Sequence, residues 1–338
     1  MTETTVRTPG SILIAGLGSI GRRHLQTVRA VLPDVRIVVL RRPGQPLPAD
    51  VGAKTALVHD IEAALASGID AAIIANPAPF HVATALPLAQ AGVPMLIEKP
   101  LAERPDDLAP LLDACAEKGV TLQVGYCLRF DPSLRAVKDA LEAGAIGRVL
   151  SLHAEVGQYL PDWRPGTDYR EGVSAKAALG GGALLELSHE IDYARWLAGE
   201  VTAVVAAIGR LGDLEIDVED SADLVLTFAS GVRGTVHLDM LQRPATRTCR
   251  IVGSAGTLAW DGIRHQARIH RPDTDGWEVL PVEGTAGRDD IFRSQFRHFL
   301  EAIRTGLPPL IDGADAARTL AVIAAARRSA AEQRTVSP

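Results

Sequence analysis

The 338-residue chain has few cysteines, no excess of positive charge and no long apolar run, and each scarcity excludes something. Its three cysteines, Cys115, Cys127 and Cys249, stand far apart. They form no CxxC pair and no metal-ligand spacing, so free thiols in a reducing cytoplasm are expected. A net charge of −6 offers no basic surface for nucleic acid. No apolar run approaches the roughly 18 residues of a membrane span. Met1–Gly10 is polar and lacks the apolar core of a signal peptide, so no membrane association is expected. There is no internal repeat and no low-complexity segment. What remains is a globular composition, 47% hydrophobic and 22% charged, on a chain long enough for two domains.

The most informative segment runs from Ser11 to His24. The apolar run Ile12–Ala15 breaks into Gly16-Leu-Gly18-Ser19-Ile20-Gly21, and a helical pattern follows to Leu32. Strand, glycine turn and helix in that order suit a dinucleotide pyrophosphate. Gly16 permits the tight turn, Gly18 lets backbone approach phosphate, and Gly21 lets helix pack on strand. The helix N-terminus, with Ser19 and Ile20, then offers free N–H groups and a positive dipole end to the anion.

Short apolar runs and helical stretches alternate in the first third. Strands are expected at Ser11–Ala15, Val35–Leu40, Ile69–Ala75, Pro94–Ile97 and Thr121–Gly125. Helices are expected at Ile20–Leu32, Asp60–Ser67, Pro79–Ala91 and Pro105–Lys118. The strands barely alternate, as strands buried on both faces should, and predict a doubly wound parallel sheet of α/β Rossmann type. Its ligand crevice lies beyond the carboxyl ends of the strands, which places Gly16–Gly21, Leu40–Arg42, Asn76-Pro77 and Glu98-Lys99-Pro100 around one cleft. The second half predicts an α+β domain with an open, mostly antiparallel sheet. Its strands are read at Arg148–Tyr159, Thr202–Arg210, Ala222–Ala229, Arg233–Leu241, Thr248–Val252, Thr257–Trp260 and Ala267–His270, with a hairpin at Ser230-Gly231. Helices are read at Gly182–Leu197, Asp289–Thr305 and Gly313–Glu332. The boundary is set at 126/127: residues 1–126 bind the dinucleotide, and residues 127–338 bind substrate and oligomerise, the last helix packing back on the first domain.

Several side chains suggest chemistry, each with a plainer alternative. Lys99 ends a strand at the crevice, where an ammonium can lower the pKa of a reacting hydroxyl; a surface lysine after an edge strand is the alternative. Glu186, His189, Glu190 and Tyr193 fall on one face of the expected Gly182–Leu197 helix. His189 there suits general acid–base work with Glu186 orienting its ring, or the stripe is a solvated face with a salt bridge. After Tyr159, Trp163 and Arg164 can stack on a ring or bind an anion, or Trp163 anchors a loop. Near the end of the second strand Arg41 and Arg42 stand where an acid would mark NAD. They can pair with the 2′-phosphate of NADP, or form a basic surface turn.

These pieces together resemble the Gfo/Idh/MocA family, relatives of glucose–fructose oxidoreductase and inositol dehydrogenase. The resemblance rests on Gly16-x-Gly18-x-x-Gly21-x-x-His24, Asn76-Pro77-x-x-x-His81, Glu98-Lys99-Pro100-Leu101, Gly125-Tyr126-Cys-Leu-Arg129-Phe130, and Gly180-Gly-Gly…His189-Glu-Ile-Asp192. It implies reversible hydride transfer between NAD(P) and a carbon of a sugar, nucleotide sugar or cyclitol, in a homodimer or homotetramer. It implies Lys99 as the catalytic lysine and His189 as the group exchanging a proton with the substrate hydroxyl. Trp163 and Arg164 resemble a pair at the nicotinamide end. Asn76, Pro77, His81 and Glu98 join the expected coenzyme set, and Tyr126, Arg129, Tyr159 and Tyr193 the expected substrate set. Leu185 stands where many members carry the acid that partners the histidine, and Cys127 where many carry asparagine. The coenzyme expectation is NADP or NAD, with NADP favoured. Two other readings are a glycosidase that oxidises its substrate transiently and a non-catalytic dinucleotide sensor.

Overall fold

The computed structural model describes residues 8–52, 54–273, 275–284 and 287–338. The reading of Met1–Gly10 as lacking a signal-like core falls mostly on residues 1–7, outside the described residues. The chain divides into two units. One runs up to Tyr126 and includes Phe292–Ala317; the other comprises Cys127–Ile291 and Arg318–Pro338.

In the first unit six strands form one parallel sheet. They are β1 (Ser11–Ala15), β2 (Arg36–Leu40), β3 (Thr55–Val58), β4 (Ala71–Ile74), β5 (Met95–Ile97) and β6 (Leu122–Val124). The order is β3-β2-β1-β4-β5-β6. Ile12, Leu13, Ile14, Val38, Val39, Ile73 and Leu96 are fully buried, as the unbroken apolar runs require. Helices α1 (Ser19–Val31), α2 (Ile61–Ala66), α3 (His81–Gln90) and α4 (Ala109–Lys118) lie between strands in sequence. The strand order reverses between β1 and β4, which opens the crevice at their carboxyl ends.

The second unit holds an eight-stranded sheet. Its strands are β7 (Val149–Gly157), β8 (Val201–Gly209), β9 (Ser221–Phe228), β10 (Arg233–Asp239), β11 (Thr246–Gly253), β12 (Gly256–Asp261), β13 (Gln266–His270) and β14 (Glu278–Val279). The order is β14-β13-β12-β11-β7-β10-β9-β8, antiparallel except for β7 beside β10. Burial alternates: Ala222, Leu224, Leu226 and Phe228 are buried, while Asp223 and Val225 are exposed. Helices α5 (Pro132–Glu142) and α7 (His189–Ala198) pack on this sheet, and the short α6 (Ala183–Glu186) precedes α7. Two further helices, α8 (Arg288–Thr305) and α9 (Gly313–Glu332), each contribute to both units.

The structure departs from the sequence reading at definite places. Strand β3 is extra; as a half-buried edge strand it lacks the apolar run of its neighbours. Helix α5 and the two-residue β14 are extra too. Residues 292–317 belong with the first unit and not with 127–338, because Phe296 and Phe299 join Ile12, Ile14, Val28 and Ile73 in one buried cluster. The expected helix Gly182–Leu197 is two helices, broken at Leu187-Ser188. Among the described residues no helix is long and apolar enough to cross a membrane.

On the sheet of the second unit, His237 of β10 sits between two carboxylates. Nδ1 meets Asp223 Oδ1 at 2.7 Å and Nε2 meets Asp239 Oδ2 at 3.1 Å. Partial burial opposes the charged ring, but the two carboxylates together outweigh it and hold the His237 pKa above the ordinary imidazole value. A raised folded-state pKa gives stability that is complete below the unfolded value of about 6.5 and is lost as pH rises through the folded value. His237→Gln should therefore lower the melting temperature relative to the parent near pH 6, with the gap closing toward pH 9 or so. Thermal melts of both proteins across this range check it; a gap constant with pH would contradict it.

Candidate active site

The glycine turn has the geometry its sequence demands. Gly16 has φ +93°, and a Cβ there would stand 2.8 Å from Asn76 N and 2.9 Å from Ala75 O. A Cβ on Gly21 would stand 2.1 Å from Gly16 O, so helix α1 can approach the turn only without a side chain. A Cβ on Gly18 would meet nothing within 4 Å. That open space adjoins the N-terminus of α1, which no side chain caps and whose first turn carries no acid. Asn76 follows β4, donates its amide to Thr84 Oγ1 at 2.9 Å, and leaves its buried Oδ1 without a hydrogen-bond partner. An uncapped helix N-terminus, room above Gly18 and an unsatisfied amide oxygen fit a dinucleotide.

Lys99 stands directly after β5, at the same carboxyl edge of the sheet. Its neighbours in the motif are committed to protein contacts. Glu98 is buried; Oε1 meets His24 Nε2 at 2.6 Å and Oε2 accepts the Lys99 N–H at 3.3 Å. His81 is buried too, with Nδ1 2.9 Å from Pro100 O and Nε2 2.7 Å from Asn76 O. Burial holds the His81 ring below the ordinary imidazole range, against the pull of both carbonyls and of Glu98. The side chains of Glu98 and His81 are thus bonded to protein partners beside Lys99. The sequence reading missed His24 as a site residue, although its spacing three after Gly21 was visible.

Arg41 and Arg42 extend from the end of β2. The Arg41 guanidinium donates to Pro46 O, and that of Arg42 lies 5.7 Å from the centre of the half-exposed Phe80 ring. Arg22, in the first turn of α1, pairs with Asp50 at 2.7 Å.

In the second unit, the polar stripe resolves into buried pairs. Arg129 grips Asp192 with two bonds, Nε–Oδ2 at 2.9 Å and Nη2–Oδ1 at 2.6 Å, and both residues are buried. Two parallel bonds of this kind between ionised groups are strong and directional. Glu190, fully buried, pairs with Arg247 at 2.8 Å. Tyr193 is fully buried and edge-on to Trp260; burial first, then Glu190, pushes its hydroxyl well above the usual phenol value. Tyr126 is fully buried as well. Both tyrosine side chains lie in the core. Tyr159 carries the Arg243 guanidinium 3.3 Å from its ring centre. His189 opens α7, and Leu185 is fully buried. Glu186 ends the preceding helix and accepts from Ser174 Oγ at 2.9 Å. Glu219, unread in the sequence, caps α6 by accepting from Leu184 N at 3.1 Å. Trp163 and Arg164 line a cavity of about 310 Å³ with Tyr169 and Ser174, while Trp163 Nε1 anchors its loop on Gln158 O at 2.9 Å. Cys127, half-buried, begins the turn before α5, while Cys115 and Cys249 are buried.

A parallel sheet with an uncapped glycine turn at its switch point, and a lysine on the same edge, defines a dinucleotide-dependent oxidoreductase. Comparison with known proteins agrees. Residues 11–126 match the model of the oxidoreductase family with NAD-binding Rossmann fold, and residues 134–259 match the GFO/IDH/MocA C-terminal domain. The chain belongs to the Gfo/Idh/MocA family of oxidoreductases. It is 31% identical to D-apiose dehydrogenase of Paraburkholderia graminis, across 99% of this chain and 91% of that one. It is 26% identical to the NAD-dependent scyllo-inositol 2-dehydrogenase of Bacillus subtilis, across 94% and 92%. Among solved structures it resembles the WlbA dehydrogenase of Bordetella pertussis in complex with NADH and UDP-GlcNAcA (TM-score 0.82, 25% identity, 97% of each chain). Levoglucosan dehydrogenase in complex with NADH and levoglucosan shares the fold (TM-score 0.87, 24% identity, 97% of this chain and 98% of that one).

The open space at Gly18 separates binding from folding. Gly18→Val should leave the melting temperature close to the parent's while coenzyme affinity, measured by calorimetry, falls at least tenfold or so. Gly16→Ala should instead destabilise the fold by about 1–3 kcal/mol, from positive φ and backbone overlap. Unchanged coenzyme affinity in folded Gly18→Val would remove the turn from the binding site.

Proposed function

We propose that the protein transfers hydride between NAD(P) and a secondary alcohol or ketone carbon of a sugar, nucleotide sugar or cyclitol. The carrying observation is Lys99 at the carboxyl end of β5, on the same sheet edge as the uncapped glycine turn. Its relatives act on apiose and inositol by name, which supports a polyhydroxylated substrate. The bound nicotinamide supplies or accepts the hydride. Backbone N–H groups of Ser19, Ile20 and Gly21 hold the pyrophosphate, and Asn76 and Pro77 line the adjoining edge. Lys99 holds the reacting hydroxyl and stabilises its developing negative charge. His189 takes the hydroxyl proton on oxidation and returns it on reduction, an exchange for which an imidazole is suited. Trp163 and Arg164 serve the nicotinamide end, and Tyr159, at the start of the same loop, serves the substrate. Glu186 supports this end through Ser174. A cytoplasmic homodimer or homotetramer completes the reading.

Lys99→Met and His189→Ala should each slow single-turnover hydride transfer by roughly 10²–10⁴-fold while coenzyme affinity stays near the parental value. Parental rates in both variants from about pH 6 to 9 would remove both residues from the chemistry.

The coenzyme preference proposed is for NADP(H). No acid stands at the end of β2 to bind a ribose 2′-hydroxyl, and Arg41 and Arg42 stand there instead. Their contacts, one to Pro46 O and one to the Phe80 ring, are weak competitors for a 2′-phosphate. The double variant Arg41→Ala, Arg42→Ala should lose affinity for NADPH by roughly 1.5–3 kcal/mol per charge-assisted contact and keep its affinity for NADH. Equal losses for both coenzymes, or tighter NADH binding in the parent, would contradict this preference.

A further inference from the structure

Lys99 is flanked by two residues, each tied to a buried imidazole. On one side, Glu98 Oε1 meets Nε2 of His24, and Oε2 of the same carboxylate accepts the Lys99 N–H. On the other side, Pro100 O meets Nδ1 of His81. Each histidine is 1% exposed. A carboxylate only accepts, so His24 Nε2 carries the proton of its bond, while its buried Nδ1 makes no hydrogen bond. A polar ring with an unsatisfied nitrogen is a costly way to fill a core position, and Phe292 stands edge-on to it at 5.5 Å. The arrangement has a use beyond filling space.

The two ties lead to the two parts of the crevice already described. His24 lies on α1, the helix whose N-terminus follows the glycine turn. The second nitrogen of His81 lies 2.7 Å from Asn76 O, on the loop after β4; a ring kept neutral by burial has one N–H, which bonds one of the two carbonyls at a time. Gly125 closes the arrangement, since a Cβ there would stand 3.1 Å from the Glu98 Cα and carboxylate.

We propose that His24, through Glu98, and His81, through the Pro100 carbonyl, are positioning residues for Lys99. They fix the backbone on both sides of the lysine relative to the glycine turn and the Asn76 loop, and so set where its ammonium stands beside bound coenzyme. Neither histidine touches coenzyme or substrate. The inference rests on the reading of Lys99 as catalytic.

The test uses His24→Leu, which cannot donate to Glu98, and His24→Gln, whose amide can. Single-turnover hydride transfer should slow roughly 10- to 100-fold in His24→Leu, the scale of a catalytic group displaced by about 1 Å, and recover in His24→Gln. NADPH affinity should change less than about twofold in both, so the loss appears in kcat. In a Lys99→Met background, His24→Leu should add nothing, because both changes act through one group. Hydrogen exchange at the Lys99 amide should rise in His24→Leu and return in His24→Gln. That readout does not depend on catalysis. If exchange rises as expected but Lys99→Met transfers hydride at the parental rate, the catalytic reading fails and the holding of the loop stands. Unchanged exchange at the Lys99 amide, an additive double variant, or a loss that follows coenzyme affinity would overturn the positioning role. If His24→Leu does not fold, His81→Gln and Glu98→Gln carry the same measurements. Parental exchange and parental kcat in both would overturn the proposal.

Discussion

The close approach of α1 to the β1 turn is the constraint on which the first unit depends. At Gly21 a single added carbon would fall 2.1 Å from a backbone oxygen, and at Gly16 it would collide with the start of the loop after β4. Three segments thus meet where no side chain fits. The approach brings the N-terminus of α1 to the edge of the sheet at the point where strand order reverses. It also brings His24, in the second turn of that helix, to Glu98. One packing contact therefore sets both the anion site and the backbone beside Lys99.

The buried polar groups of the two units do different things. In the first unit they gather at the crevice: His24, Glu98 and His81 are spent on the loops that carry Asn76 and Lys99. In the second unit they tie elements together, through ion pairs and an arginine–hydroxyl bond. Arg129 before α5 grips Asp192 on α7, Thr319 on α9 accepts from Arg195, and Glu190 meets Arg247 of β11. Buried pairs of this kind add little net stability over apolar packing, but losing one partner is severe because the other charge stays buried. Such pairs fix α7 against its neighbours, and α7 begins with His189.

Much of this was legible in the sequence, for identifiable reasons. β1, β4 and β5 are apolar on both faces, so they read as parallel strands without a partner in view. The glycine spacing was legible because Gly16 and Gly21 answer local steric demands, while Gly18 leaves open space beside the N-terminus of α1. β3 did not read, since an edge strand needs no apolar run. Leu187-Ser188 carries no helix-breaking residue; the break comes with Ser188 Oγ bonding back to Leu185 O and Glu219 capping α6 from a distant loop. Glu98, His81, Arg129 and Tyr193 entered the expected site through the family resemblance. Sequence shows what a side chain can bond, not which partner reaches it first, and in each case a protein group does. Phe292, Phe296 and Phe299 show the same limit: a helical period reveals an apolar face but not the core it enters.

The central claim, that this crevice performs hydride transfer on a polyhydroxylated substrate, is met most directly by following coenzyme reduction. The purified protein is mixed with NADP+ or NAD+ and with inositols, levoglucosan, apiose and related sugars, each prepared with hydrogen or deuterium on the reacting carbon. The account predicts that at least one substrate reduces the coenzyme, that deuterium slows the single-turnover step, and that the label arrives on the nicotinamide ring. Tight coenzyme binding with no reduction by any of them, or reduction whose hydrogen comes from solvent, would contradict it.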